Sequence, residues 1–423
     1  MNTIEYPVTE SWAQLLQRPL FDNTGLQKSV KKIIDKVKTG GDKAVKKFTK
    51  EFDAISIRNL LINEKEMKEA AGLLSEELKT AILTAKKNIE TFHTAQLSNT
   101  VVIETMPGVN CWRKSVAIEK VGLYIPGGTA PLFSTVLMLA IPAQLAGCKQ
   151  IVLCTPPQQD GKIHPAVLFA AQVAGVNTII KAGGVQAIAA MAYGTESVPK
   201  VYKIFGPGNQ YVTCAKQIIQ AEGIAIDMPA GPSEVCVLAD ETANAAFVAA
   251  DLLSQAEHGA DSQSVLISTS ATLIKEVANE VEKQLALLPR KDIAAKALVH
   301  SKLILVKDIK EAIAMANEYA AEHLIISCAD ENQVAEQIFN AGSVFLGNYS
   351  PESAGDYASG TNHTLPTNGY ARSYSGVSID SFVKKITYQQ LSKQGLKNIG
   401  PTVIAMAKAE GLDAHANAVS IRL

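Results

Sequence analysis

The sequence predicts an α/β fold built from two doubly wound units. Three observations carry that expectation. The chain has 423 residues, too long for one ordinary core. From about Val101 onward, short β-branched runs alternate with helical patterns, as parallel sheets with helical crossovers require. The runs are almost continuously apolar, which fits strands covered on both faces.

In chain order, the first hundred residues read mainly as helix. Lys28–Val37 carries apolar residues at helical spacing, and Gly40-Gly41 is expected to end it. A second helical stretch covers Glu64–Phe92. The expected strands are Val116–Tyr124, Ile151–Cys154, Thr178–Lys181, Val201–Phe205, Val235–Leu238, Val265–Ser268, Leu303–Val306, Leu324–Ser327 and Val344–Leu346. Helices are expected between them at Pro131–Ala146, Ala166–Ala174, Ala187–Tyr193, Asn209–Ala221, Ala243–Ala256 and Lys310–Ala320. Glycine-rich junctions, Pro126-Gly127-Gly128, Gly183-Gly184 and Gly206-Pro207-Gly208-Asn209, fall where strands hand over to helices. Glycine there permits a sharp turn and a ligand close to the backbone. None is a GxGxxG, so the usual dinucleotide fingerprint is absent. Gly347–Gly376 reads as a long loop, and loops of that length usually serve function. The chain closes in helical pattern, Pro401–Gly411 and Leu412–Leu423.

Composition narrows the functional classes. With 40 basic and 41 acidic residues, nothing marks a nucleic-acid footprint or a polybasic membrane patch. The lysines between Lys28 and Lys50 alternate with acidic and apolar residues, as on a solvated helix face. The six cysteines form no CxxC pair and sit mostly in apolar runs, which suits buried thiols in a reducing compartment. No signal-peptide pattern opens the chain and no apolar stretch is long enough to span a bilayer, so a cytoplasmic protein is expected.

Four local signals could carry chemistry. Gln255 and His258 are three apart on one helix face, and both can donate a lone pair to a metal. Taken alone, His258 would serve simply as a helix cap before Gly259. Glu322 and His323 stand together before an apolar strand, as a proton-transfer pair could, or as an exposed acid beside a structural histidine. Asp356, in the glycine-rich loop, is a hard oxygen ligand or an Asx turn. His415, eight residues from the end, reaches a site only if the tail docks.

Together the motifs resemble those of the histidinol dehydrogenase family. The blocks are VGLYIPGGTAPLFSTV from Val121, KIFGPGN ending at Asn209, DMPAGPSE around Ser233, LLSQAEHG around Gln255 and His258, AEHL around Glu322 and His323, and GDYASGTNHTLP from Gly355. The resemblance implies an NAD-linked, four-electron oxidation of L-histidinol through the aldehyde to L-histidine, with two NAD molecules used in turn. It implies zinc on Gln255, His258, Asp356 and His415, with the metal mainly a template for the substrate. It makes His323 the base and Glu322 the residue that activates water. Ser233, His363 and Glu410 would contact substrate with the zinc ligands and His323, and Tyr124, Gln186 and Asn209 would contact NAD. A homodimer is implied, with the C-terminal tail crossing so that His415 completes the partner's site.

In domain terms, the expectation is a small N-terminal helical segment at 1–19, a discontinuous Rossmann-like unit at 20–123 and 235–377 with the metal and catalytic residues, a second Rossmann-like unit at 124–234 with the NAD contacts, and a helical tail at 378–423. Both sheets are expected to be incomplete. Two other readings stay open on residues alone: a metal-dependent hydrolase or hydratase using Glu322-activated water, and a non-catalytic binding protein.

Overall fold

Among the described residues, fourteen strands are built, in chain order, from stretches the sequence makes apolar or alternating. They are β1 (Asn2–Glu5), β2 (Val102–Met106), β3 (Val109–Ala117), β4 (Lys120–Tyr124), β5 (Gln150–Thr155), β6 (Thr178–Lys181), β7 (Lys203–Phe205), β8 (Ala225–Ile226), β9 (Glu234–Ala239), β10 (Gln263–Ser268), β11 (Lys302–Leu305), β12 (His323–Ser327), β13 (Ser343–Leu346) and β14 (Val383–Leu391). The computed structural model describes residues 1–19, 25–127, 131–229 and 231–423; Gly128 of the first glycine junction, Ala230 and the expected domain start at residue 20 lie outside these.

Two sheets are parallel, with orders β6-β5-β4-β7-β8 and β1-β11-β10-β9-β12-β13. Leaving β1 aside, each runs 3-2-1-4-5 in its own strand order. That is the doubly wound order without its sixth strand, so each sheet is incomplete. The fold is therefore the expected mixed α/β fold with two Rossmann-like sheets.

Side chains alternate along these strands and feed separate cores on opposite faces. On the five-stranded sheet, Val121, Leu123, Leu153 and Phe205 pack toward helices Phe133–Ala146 and Pro165–Val173. Val152, Cys154, Ile180 and Ile204 pack toward helices Gly184–Tyr193 and Gln210–Ala221. On the six-stranded sheet, Val235, Val237 and Leu266 face helices Ala245–Ala256 and Ala271–Leu285, while Cys236, Leu238 and Ile267 face helix Ile309–Tyr319 and Trp12.

Several expectations are corrected. Residues 1–19 are not simply helical: β1 pairs in parallel with β11, and Trp12 and Leu16 enter the core of the six-stranded sheet. The helical stretch after them joins the other unit. Val30, Ile34 and Val37, a stripe at helical spacing, pack with Ile188, Met191 and Ala215 against the five-stranded sheet. Helices Glu64–Gly72 and Glu76–Thr94 share the opposite core of that sheet. The assignment of 20–123 to the six-stranded unit does not hold, because this apolar surface is buried elsewhere. Gly40-Gly41 does not end the first long helix; Leu26–Asp53 continues across a kink where Gly41 has φ 51°. The strand expected at Val116–Tyr124 is two: β3 is antiparallel to β2 and β14, and β4 starts the five-stranded sheet. The tail is not wholly helical, since β14 runs for nine residues against β3 before helices Lys393–Ala409 and Asp413–Ser420.

The backbone explains one glycine junction. Gly206 has φ +127°, and a Cβ there would lie 2.0 Å from the Tyr124 carbonyl oxygen. Gly206→Ala is expected to cost roughly 3 kcal/mol or more, from backbone strain plus a clash against main chain. Chemical denaturation checks this.

Candidate functional site

The topology gathers two kinds of chain end at one place. In the five-stranded sheet, the carboxyl ends of the strands open into Pro126, Pro156, Gly183 and Gly206. In the six-stranded sheet, the amino ends are used. Helix Ala245–Ala256 runs back from the far end of β9 and delivers Gln255 and His258 to that edge. Helix Ile309–Tyr319 does the same for Glu322 and His323, the chain turning at Ala320 with φ 52°. Ligands beyond carboxyl ends are the rule for such sheets, so the amino-edge location of the proton-transfer pair is the unusual half.

A cavity of about 400 Å³ lies there, lined by Ser233, Gln255, His258, Glu322, His323, Asp356 and His363 among others. Glu322 is 7% exposed and His323 4%. His323 Nε2 is 3.3 Å from Asp356 Oδ1, and its Nδ1 is 3.7 Å from Glu322 Oε2. Glu322 Oε2 accepts from the Glu234 backbone N–H at 3.0 Å. The Gln255 amide fits best with its oxygen accepting from that same N–H at 2.7 Å and its nitrogen donating to Glu352 at 3.1 Å. His363 Nε2 meets Thr135 Oγ1 at 3.0 Å, and its Nδ1 meets the Asp356 carbonyl at 2.9 Å, so the loop is tied to helix Phe133–Ala146 on one side and to helix Glu352–Tyr357 on the other.

Electrostatics follow from burial. Loss of solvent pushes the Glu322 carboxyl up, against the opposing pull of His323. Burial disfavours charge on His323, yet Glu322, Asp356 and Glu352 around it raise its pKa. Burial would also raise Asp356, but His323 holds that carboxyl below its usual range.

Glu352 is the residue sequence reading missed. It is 1% exposed, accepts from Ser254 Oγ at 2.8 Å, and lies 4.0 Å from His323 Nδ1. Its signal was spacing: it stands four residues before Asp356 on helix Glu352–Tyr357, hence on the same face. A neighbouring carboxyl, Asp251, is pushed up by burial to about 7. An acid whose pKa is raised by folding costs stability as pH climbs from its unfolded value toward its folded one. Asp251→Asn is therefore expected to raise the melting temperature at pH 8, with the gain gone below about pH 4. Thermal melts at both pH values check the sign.

The metal set is only partly assembled within the chain. Gln255, His258 and Asp356 offer amide, imidazole and carboxylate to the cavity, and Asp356 Oδ1 is buried with no hydrogen-bond partner. This donor set suits zinc. Among the described residues, however, no three His, Cys, Asp or Glu side chains are grouped to hold a metal. Glu410 and His415 do not line the cavity; both are exposed on the C-terminal helices.

A second cavity, of about 850 Å³, opens beside the first and shares Pro126, Leu132 and Asn209 with it. Its walls include Tyr124, Gln186, Asn209 and Tyr211. Tyr124 Oη accepts from the Gly184 N–H at 3.1 Å, and Asn209 caps helix Gln210–Ala221 through the Tyr211 and Val212 N–H groups. Gln186 is 1% exposed and its Oε1 has no partner. Two helix N-termini, apolar walls and an unpaired amide suit a dinucleotide.

The sequence and the fold are both similar to those of known proteins. A family model described as histidinol dehydrogenase matches residues 16–423. The chain is 64% identical to a histidinol dehydrogenase of Bacteroides thetaiotaomicron, over 100% of this chain and 99% of that one. It is 54% identical to the chloroplastic histidinol dehydrogenase of Arabidopsis thaliana, over 97% of this chain and 88% of the other. A crystal structure of histidinol dehydrogenase from Elizabethkingia anophelis superposes with TM-score 0.98 at 56% identity, covering 100% of this chain and 98% of that one.

Proposed function

The chain belongs to the histidinol dehydrogenase family, an NAD-dependent oxidoreductase family of histidine biosynthesis, and from that premise we propose the division of labour within its site. The observation that carries the reading is the buried Glu322–His323–Asp356 cluster in a cavity that shares a wall with a dinucleotide-sized one.

L-histidinol binds in the smaller cavity, against Ser233, His363, His323 and the metal ligands. His323 takes the hydroxyl proton as the carbinol carbon gives up hydride to NAD. The carboxylates around the ring stabilise the imidazolium that forms. Glu322 then takes a proton from water as its oxygen bonds to the aldehyde carbon, and the proton passes to the former carbonyl oxygen. After His323 has passed its first proton to solvent, the resulting diol loses its second hydride to a second NAD, and His323 takes the diol's hydroxyl proton. Gln255, His258, Asp356 and the partner's His415 would hold zinc, which would supply a template that orients the substrate. Burial of the cluster keeps the reactive aldehyde enclosed.

His415 and Glu410 come from a partner subunit in this reading. Two features support it: both residues are exposed and do not line the cavity of their own chain, and the tail carries exposed apolar residues of its own. Val102, Ile103, Met106, Ile386, Tyr388 and Met406 are all exposed large apolar residues on β2, β14 and the following helix. A surface of that kind marks a protein–protein interface. Among the described residues no helix is long and apolar enough to cross a membrane, in keeping with a cytoplasmic site of action.

The decisive experiment couples metal analysis to NADH yield. The expected result is two NADH per histidinol and one zinc per chain. A hydrolase or hydratase would give no NADH, and one NADH would mean an enzyme that stops at the aldehyde.

A further inference from the structure

The larger cavity has one wall whose charge the reading above does not use. Helix Leu26–Asp53 ends at that wall, and Ala54 follows with φ 58°, turning the chain sharply. Phe52, Asp53 and Ile55 consequently all line the cavity. Phe52 is 52% exposed there and stacks on Phe48 with ring centres 5.6 Å apart. Asp53 Oδ2 is buried and has no hydrogen-bond partner. An unpaired buried carboxylate oxygen beside an exposed aromatic face is costly unless a ligand supplies donors.

The cationic side is equally informative. Among the described residues lining this cavity there is no Lys or Arg. The histidine present, His164, has its pKa lowered by burial and its Nδ1 occupied by the Ala166 N–H. A diphosphate can be held without cations, by the helix N-termini at Gly184 and Gln210. A third phosphate group has no such partner beside Asp53.

We propose that Asp53 selects the unphosphorylated dinucleotide. Its carboxylate accepts hydrogen bonds from the 2′- and 3′-hydroxyls of the adenosine ribose, with the base against Phe52 and Ile55, and it repels a 2′-phosphate. An acidic residue on the ribose diol is the general device by which nucleotide sites favour NAD over NADP, and like-charge opposition supplies the rejection. This rests on the larger cavity being the dinucleotide site.

Calorimetry on the full-length protein tests it with two fragments, 5′-AMP and adenosine 2′,5′-bisphosphate, each also competed with NAD. In the wild type, 5′-AMP is expected to bind at least about tenfold more tightly than the bisphosphate. Asp53→Asn keeps an acceptor but removes the charge, and should shrink that ratio by about tenfold. If 5′-AMP competes with NAD but the ratio is near one in the wild type, or is unchanged in Asp53→Asn, the role of Asp53 is overturned while the cavity assignment stands. If neither fragment competes with NAD, the cavity assignment falls and this inference with it.

Discussion

Glu322→Gln is expected to slow oxidation of histidinaldehyde by about 10²-fold or more, while oxidation of histidinol to the aldehyde loses less than about tenfold. Glutamine matches the shape and can still accept from the Glu234 N–H that holds Glu322 Oε2 at 3.0 Å. It cannot take a proton from water. Removing a carboxyl that burial already pushes toward neutrality also spares the fold a desolvation cost, so the melting temperature should not fall. Single-turnover NADH formation, started from alcohol and separately from aldehyde, measures the two halves. From the alcohol, one fast NADH followed by a stall is expected. Equal losses in both halves would remove Glu322 from water activation and leave it a supporting acid for His323.

Mixed dimers give the second large effect. His415→Ala and Asp356→Ala should each be nearly inactive alone. When the two are mixed with subunit exchange, one site of each hybrid combines an intact Asp356 with an intact His415, and the other site loses both. Half of the dimers are hybrids with half of their sites restored, so about a quarter of wild-type activity should return. Differently tagged chains establish that exchange has occurred. Hybrids without activity would mean that His415 serves its own chain, and the tail would then have to fold back onto the cavity.

What the sequence made legible was the repeating part of the fold. The apolar runs of β5, β6, β9, β10, β11 and β12 were readable because strands covered on both faces leave little room for polar residues. The antiparallel sheet was not. In β14, Lys384-Lys385-Ile386-Thr387-Tyr388-Gln389-Gln390 is mostly exposed within the chain, so neither a continuous nor a clean alternating pattern marks it. The stacking of Trp112 on Tyr388, centres 5.4 Å apart, depends on a register between residues almost 280 positions apart. The packing of Val30, Ile34 and Val37 failed for a different reason: an apolar stripe says that a helix is covered, never by what.

The candidate site was legible only as a set. Glu322, His323, Asp356, Gln255 and His258 come from two crossovers and a loop, and no local spacing predicts that helix C-termini and strand N-termini meet at one edge. Their order within longer matching blocks joined them. Asp53 and Glu352 had no such support. Asp53 lies beyond the helix the sequence predicted, which Gly40-Gly41 was expected to end, and Glu352 lies in a segment read as irregular, so what each faces emerges only from the folded chain.

The two cavities meet through Pro126, Leu132 and Asn209 and otherwise have separate walls. In the reaction proposed above, that arrangement would let one active site use two electron carriers in succession. A spent carrier can depart through its own compartment, and a fresh one arrive, while the half-oxidised molecule keeps every anchor it made in the other. Widening the shared wall at Leu132 would therefore turn a committed two-step conversion into one that leaks its midpoint. The leak should grow with the waiting time between carriers, so scarcity of NAD, more than scarcity of substrate, would expose it.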